Sequence, residues 1–128
     1  MIVGEISVIH TGLAYLFISH DLRVVKHLSD RIAVMYLGSM MEFADKKTIF
    51  SNPRHPYTQM LLSAVPDTDP ERKRERLVMQ GELPGIENAP KGCKFCTRCP
   101  YATDRCRTEV PQLRETEPGH HVACFLQE

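Results

Sequence analysis

Five cysteines crowd the last third of this 128-residue chain, at positions 93, 96, 99, 106 and 124. Thiolates are soft ligands, so such a cluster suits iron–sulfur or zinc chemistry before other uses. Cys93, Cys96 and Cys99 stand in C-x2-C-x2-C spacing, a loop able to wrap one face of a four-iron cluster, and Pro100 follows the third. The usual fourth cysteine three residues further on is absent. Zinc favours two separated cysteine knuckles, and only one is present, although His120 or His121 could complete a Cys3His set. The plain alternative is idle thiols, which a segment so poor in hydrophobic residues has little means to bury. The start, MIVGEISVIH, has no basic leader and is broken by Glu5, so the thiols are expected to stay reduced and metal is favoured over disulfides.

His20 is the second candidate. The run LAYLFI at 13–18 is short, apolar and rich in aromatic and branched side chains, which predicts a buried strand; Ser19, His20 and Asp21 follow it. A histidine at the carboxyl end of such a strand sits at the edge of an α/β sheet, where ligands bind. The plainer role is a ring that only caps the next helix or bonds a neighbouring carbonyl.

Local pattern predicts the elements that hold these residues. Asp21 is a ready N-cap for a short helix in which Leu22, Val25 and Leu28 recur at helical spacing. RIAVMYL at 31–37 reads as a second buried strand, Gly38 and Ser39 as a turn, and 40–44 as a third strand, making a hairpin. Asp45 can cap a helix through Phe50 that Asn52 and Pro53 stop, and TQMLLSAV at 58–65 predicts one more, ended by Pro66. DTDPERKRER at 67–76 has nothing to bury and no aromatic among its arginines, so it reads as a solvated linker rather than a nucleic-acid surface. Gly and Pro at intervals make 77–92 an extended connector. All nine prolines lie from Pro53 onward, which predicts regular packing first and an irregular, stapled segment last. Lys+Arg and Asp+Glu are 16 each, so no net field points to nucleic acid or an anionic membrane. The longest apolar run, 13–18, is far short of a membrane span, and a cytosolic chain is expected.

The stretch from Gly12 to Pro66 closely resembles the ATP-binding subunits of ABC transporters of the oligopeptide/dipeptide (nickel) importer class. FISHDL, DRIAVMYLG followed by MMEFA, and NPRHPYTQMLL carry the likeness. GCKFCTRCPYATDRC, then PQL and HHVAC, resembles the C-terminal segment of the same family. The resemblance implies an α/β fold: the tail of a P-loop NTPase (ABC ATPase) core at 1–66, a linker at 67–92 and an irregular Cys-rich iron–sulfur extension at 93–128. It implies that His20 is the switch histidine, which in the intact protein contacts the γ-phosphate and helps hold the attacking water. It also implies that Cys93, Cys99, Cys106 and Cys124 hold a [4Fe–4S] cluster with Cys96 as a spare thiol, where spacing alone favours Cys96 as a ligand. The implied partners are membrane permease subunits and a second ATP-binding subunit in a dimer, with ATP and Mg as ligands of the intact protein and no nucleic acid. The implied place is the inner face of the cell membrane, with ATP hydrolysis coupled to import of di- or oligopeptides.

The sequence departs from the family in its catalytic parts. It has no G-x-x-x-x-G-K-[ST] to cradle phosphates, no apolar run ending in Asp-Glu ahead of His20 and no signature loop. Residues 1–11 do not match the helix that the family carries before this strand. The expectation is therefore a C-terminal portion of such a subunit, with a foreign or restarted N-terminus, unable to hydrolyse ATP alone. The rival is a stand-alone iron–sulfur or zinc module with a redox, sensing or interaction role. A sheet cut short in this way should expose an edge and an apolar face.

Overall fold

The hairpin of residues 31–45 organises the molecule. The computed structural model describes residues 2–8, 13–64 and 85–127. Strands β3 (Arg31–Tyr36) and β4 (Ser39–Asp45) pair antiparallel, with Arg31 opposite Asp45 and Tyr36 opposite Ser39. The turn falls on Leu37 and Gly38, one residue earlier than the sequence predicted, and both have positive φ, 47° and 78°. Such a two-residue turn matches the right-handed twist of its strands, and glycine adopts it without steric penalty. Ile32, Ala33 and Val34 are buried in succession, so β3 is covered on both faces.

Two further strands extend the sheet on one side. β1 (Ile2–Val8), which the sequence reading did not foresee, lies between β3 and β2 (Leu13–Ser19) and is antiparallel to both. It follows that β2 and β3 run the same way, joined by helix α1 (Leu22–Leu28), with β1 inserted between them. The strand–helix–strand unit β2–α1–β3 is therefore present but split, and every strand pair in the sheet is antiparallel. The LAYLFI segment is a strand as predicted, yet it is not buried: Tyr15, Leu16 and Ile18 are 51–73% exposed. The reason is its place at the edge of the sheet, where among the described residues it is bonded only to β1.

Helix caps follow the sequence closely. Asp21 accepts the Arg23 N–H at 2.9 Å to begin α1, in which Leu22 and Val25 are buried while Leu28 is exposed. Asp45 accepts the Thr48 N–H at 2.8 Å to begin α2 (Lys46–Ser51), which stops at Asn52. Helix α3 (Pro56–Ser63) starts two residues before the predicted TQMLLSAV, because Pro56 at its first turn has the right φ and no N–H to satisfy. The core joins α1, β3, β4, α2 and α3, and Phe95 inserts into it with no exposed surface.

The cysteine-rich segment is more regular than expected. It carries helix α4 (Asp104–Thr108) and a hairpin of β5 (Arg114–Glu117) and β6 (His120–Val122), turning at Gly119 with φ 76°. β6 pairs with β4, placing Val122 opposite Glu42 and His121 opposite Phe43, so the sheet order is β2-β1-β3-β4-β6-β5. The core and the cysteine segment thus share one sheet. The charged linker at 67–76 and the connector as far as residue 84 lie outside the described residues, as do Pro66 and residues 9–12. No helix among the described residues is long and apolar enough to cross a membrane.

Candidate functional site

Glu42 is the buried charge around which the site is built. Its position in the strand MMEFA turns it inward, and its carboxylate has no exposed surface. A carboxylate so placed must be saturated with donors or it would cost several kcal/mol. Three groups bond it: the Arg54 N–H at 2.9 Å, the His55 N–H at 3.0 Å and His120 Nε2 at 2.5 Å. One side chain thereby fixes the loop before α3 and strand β6 against β4. Arg54 adds an ion pair with Glu117 and a bond to Gln127 Oε1 at 3.2 Å, tying that loop to the chain on both sides of Cys124. The Ala123 N–H donates to the Met41 carbonyl at 2.9 Å, which delivers Cys124 beside β4.

The other cysteines are held by tight turns. The Cys93 N–H donates to the Cys106 carbonyl at 2.7 Å, and Gly92 lies so close that a Cβ there would stand 2.3 Å from the same oxygen. Only glycine permits that approach. Cys96 and Cys99 donate back to the carbonyls of Cys93 (3.1 Å) and Phe95 (2.9 Å). Phe95 anchors this turn between Tyr36 and Tyr57, at ring separations of 5.3 and 5.1 Å.

The result is one small, open pocket lined by all five cysteines together with His55, Phe95 and Phe125 among others. All five thiols are free. Burial pushes the Cys93 thiol up to about 11, with Cys106, Cys124 and Cys96 adding like-charge repulsion in the same direction. Burial also raises Cys96, Cys99 and Cys124, and the Glu42 carboxylate adds to the rise at Cys124. These thiols are therefore protonated at neutral pH, and a metal must displace their protons to bind. Among the described residues no group of three or more His, Cys, Asp and Glu is arranged to hold a metal ion as it stands. The lining carries free thiols, which are soft donors by type, in a wall otherwise mainly apolar. His120 and His121, considered as a fourth zinc ligand, do not line the pocket: His120 is bonded to Glu42 and His121 lies beside Phe43.

Nothing in the sequence pattern singles out His55 as a site residue. Its Nδ1 accepts the Tyr57 N–H at 3.0 Å and so caps α3. Burial holds its ring at about pKa 4, an effect partly opposed by a hydrogen bond to the Ala123 carbonyl. His20, by contrast, sits in the bend after β2, exposed and far along the sheet from the cysteines.

A family model described as the oligopeptide/dipeptide transporter, C-terminal region, matches residues 41–106, from the strand that carries Glu42 to Cys106. The chain belongs to that family. It is 57% identical over 117 residues, 90% of its length, to the oligopeptide transport ATP-binding protein AppF of Bacillus subtilis. It is 53% identical over 114 residues to a putative peptide import ATP-binding protein of Brucella ovis, and 52% over 114 residues to the dipeptide transport ATP-binding protein DppF of Haemophilus influenzae. Each match covers 89% of this chain. The chain spans 35–36% of the length of these curated relatives. All three are named as transport or import ATP-binding proteins, so the stand-alone metal module considered from the sequence finds no support among them.

Proposed function

We propose that the chain acts as the C-terminal part of the ATP-binding subunit of a peptide-class ABC importer, in which the whole protein couples ATP hydrolysis to entry of di- or oligopeptides. The observation that carries this reading is the 57% identity to AppF over 90% of the chain. The whole subunit works at the cytoplasmic face, against membrane permease subunits and beside a second ATP-binding subunit. His20 acts at its strand tip, where an exposed imidazole can donate to a γ-phosphate oxygen and orient the attacking water. Phosphate cradle, magnesium carboxylate and general base come from the rest of that protein. In a whole subunit carrying this segment, His20→Ala should lower ATP turnover by about 10²-fold or more while nucleotide binding is kept. Unchanged turnover would remove His20 from the chemistry.

The pocket is read as the place of a [4Fe–4S] cluster held by Cys93, Cys99, Cys106 and Cys124, with Cys96 as the spare thiol. Support comes from five free thiols lining one mainly apolar pocket. When bound, the cluster supplies either a one-electron centre or a staple for the segment. The chain's own part is to bring the ligands together: Gly92 and Phe95 set the first turn, and Glu42 with His120 holds the strand that ends in Cys124. Zinc is the alternative occupant. Stoichiometric zinc without iron after anaerobic loading with both metals would replace the cluster in this reading.

A further inference from the structure

The backbones of Cys93 and Cys106 meet directly. The Cys93 N–H donates to the Cys106 carbonyl at 2.7 Å, and a Cβ on Gly92 would stand 2.3 Å from the same oxygen, so no side chain separates the two segments. A direct N–H···O=C bond of this kind sets the two Cα atoms about 5–6 Å apart. That lies within the roughly 4.4–6.8 Å that a disulfide spans. Both side chains line the same pocket, and both thiols are free. Of the other thiols, Cys106 exerts the strongest charge interaction on Cys93, ahead of Cys124 and Cys96. The two differ in access: Cys93 is 8% exposed, whereas Cys106 is half-buried, its Sγ 3.3 Å from the Thr103 hydroxyl.

We infer that Cys93 and Cys106 are a redox modification site, closing to a disulfide when the metal-free chain meets a small-molecule disulfide. The inference goes beyond the cluster reading and does not need it. Cys106, the more open thiol, reacts first. Its sulfur bonds one sulfur of the small disulfide, that S–S bond breaks, and one small thiol leaves with the proton of Cys106. The Cys93 sulfur then bonds the Cys106 sulfur, the mixed S–S bond breaks, and a second small thiol leaves with the proton of Cys93. The two protein sulfurs are oxidised, and one small disulfide is reduced to two thiols. Cys93 is too covered to carry a bulky adduct, which makes it the resolving thiol. The bond closes a loop over residues 93–106 that confines the unfolded chain. Such a pair stays open in a reducing compartment and closes as the small-molecule disulfide rises. Where the cluster reading holds, closure withdraws two of its four ligands, so the disulfide and the cluster exclude each other.

Trypsin can read the pairing without ambiguity. Cleavage after Lys91, Lys94, Arg98, Arg105, Arg107 and Arg114 leaves each cysteine in a peptide of its own. The full metal-free chain, dilute enough to run as a monomer on a non-reducing gel, would be incubated with oxidised glutathione, alkylated, digested and weighed by mass spectrometry. The expected result is peptide 92–94 joined to peptide 106–107, with three of the five thiols still open to alkylation. The cross-link should survive in Cys96→Ser and Cys124→Ser. It should be lost in Cys93→Ser, where a glutathione adduct accumulates on Cys106 instead. Five alkylated thiols in the wild-type chain, adducts without a cross-link, or peptide 92–94 joined to 95–98 would each overturn the inference. Iron uptake enters none of these outcomes, so the cluster reading stands or falls separately.

Discussion

The two ends of this sheet treat their chemically capable residues in opposite ways. At the β2 end, His20 follows an edge strand whose Tyr15, Leu16 and Ile18 are open to solvent. At the β4–β6 end, Glu42, His55 and His120 are at most 1% exposed and bonded to one another through backbone and side chain. The contrast separates two kinds of site. A histidine at an exposed strand tip borrows its chemistry from whatever is brought to it. The cysteine pocket is instead made by the chain itself, with every thiol positioned by contacts among residues 41–127.

The largest expected difference between the ends is in stability. Glu42→Ala strands the N–H groups of Arg54 and His55 and leaves His120 without its partner, which should destabilise the metal-free chain by about 3–5 kcal/mol. His20→Ala should change stability by less than about 0.5 kcal/mol, as for an ordinary surface substitution. Urea unfolding of both variants measures the gap. Equal effects would dissolve the distinction between the two ends.

The next effect is a pH dependence confined to the buried end. The His55 ring titrates near 6.5 when unfolded but is held at about 4 when folded, by burial. Between those values the unfolded chain binds a proton that the folded chain does not. Stability is therefore complete above about pH 6.5 and falls as the pH drops toward 4, by about 3 kcal/mol from this group. Glu42, bonded to the His55 N–H, is the charged group nearest in the bonding network, so the difference between wild type and His55→Asn isolates the imidazole. Unfolding curves at pH 7 and pH 5 should show a smaller loss in His55→Asn; an equal loss would contradict the assignment.

A smaller effect is expected at Gly92. Alanine there would set its Cβ 2.3 Å from the Cys106 oxygen and 2.7 Å from the Arg107 carbonyl carbon, so backbone must move. The expected destabilisation is about 1–3 kcal/mol, as for overpacking. Because the shift separates Cys93 from Cys106, metal uptake should fall by more than stability alone explains. Uptake unchanged at matched folded fraction would show that the 92–106 contact does not set the pocket.

What the sequence made legible was mostly local. Asp21 and Asp45 declare their caps, the 31–45 hairpin follows from two apolar runs about a glycine, and the cysteines announce a shared site by type alone. The misses have one cause: burial and pairing depend on neighbours in space. LAYLFI carries strong strand propensity, but propensity does not say that the strand is an edge. RETE and HHV at 114–117 and 120–122 are short and polar, and become strands because β4 offers them an unpaired side. Glu42 looks like a solvated charge among apolar neighbours until β6 and the 54–55 loop close over it. Pro56 was a readable signal that α3 starts at His55, and with it the cap that commits the His55 ring.

The central proposal is that four of the five cysteines lining this pocket, Cys93, Cys99, Cys106 and Cys124, hold one cluster. The most direct test is the iron and sulfide content of single Cys→Ser variants of the full chain after anaerobic reconstitution. The account predicts about four iron and four sulfide per chain in wild type and in Cys96→Ser, and loss of both in Cys99→Ser and Cys124→Ser. Loss in Cys96→Ser with retention in Cys124→Ser would contradict it, leaving the ligands in the local C-x2-C-x2-C loop and β6 without a part in the site.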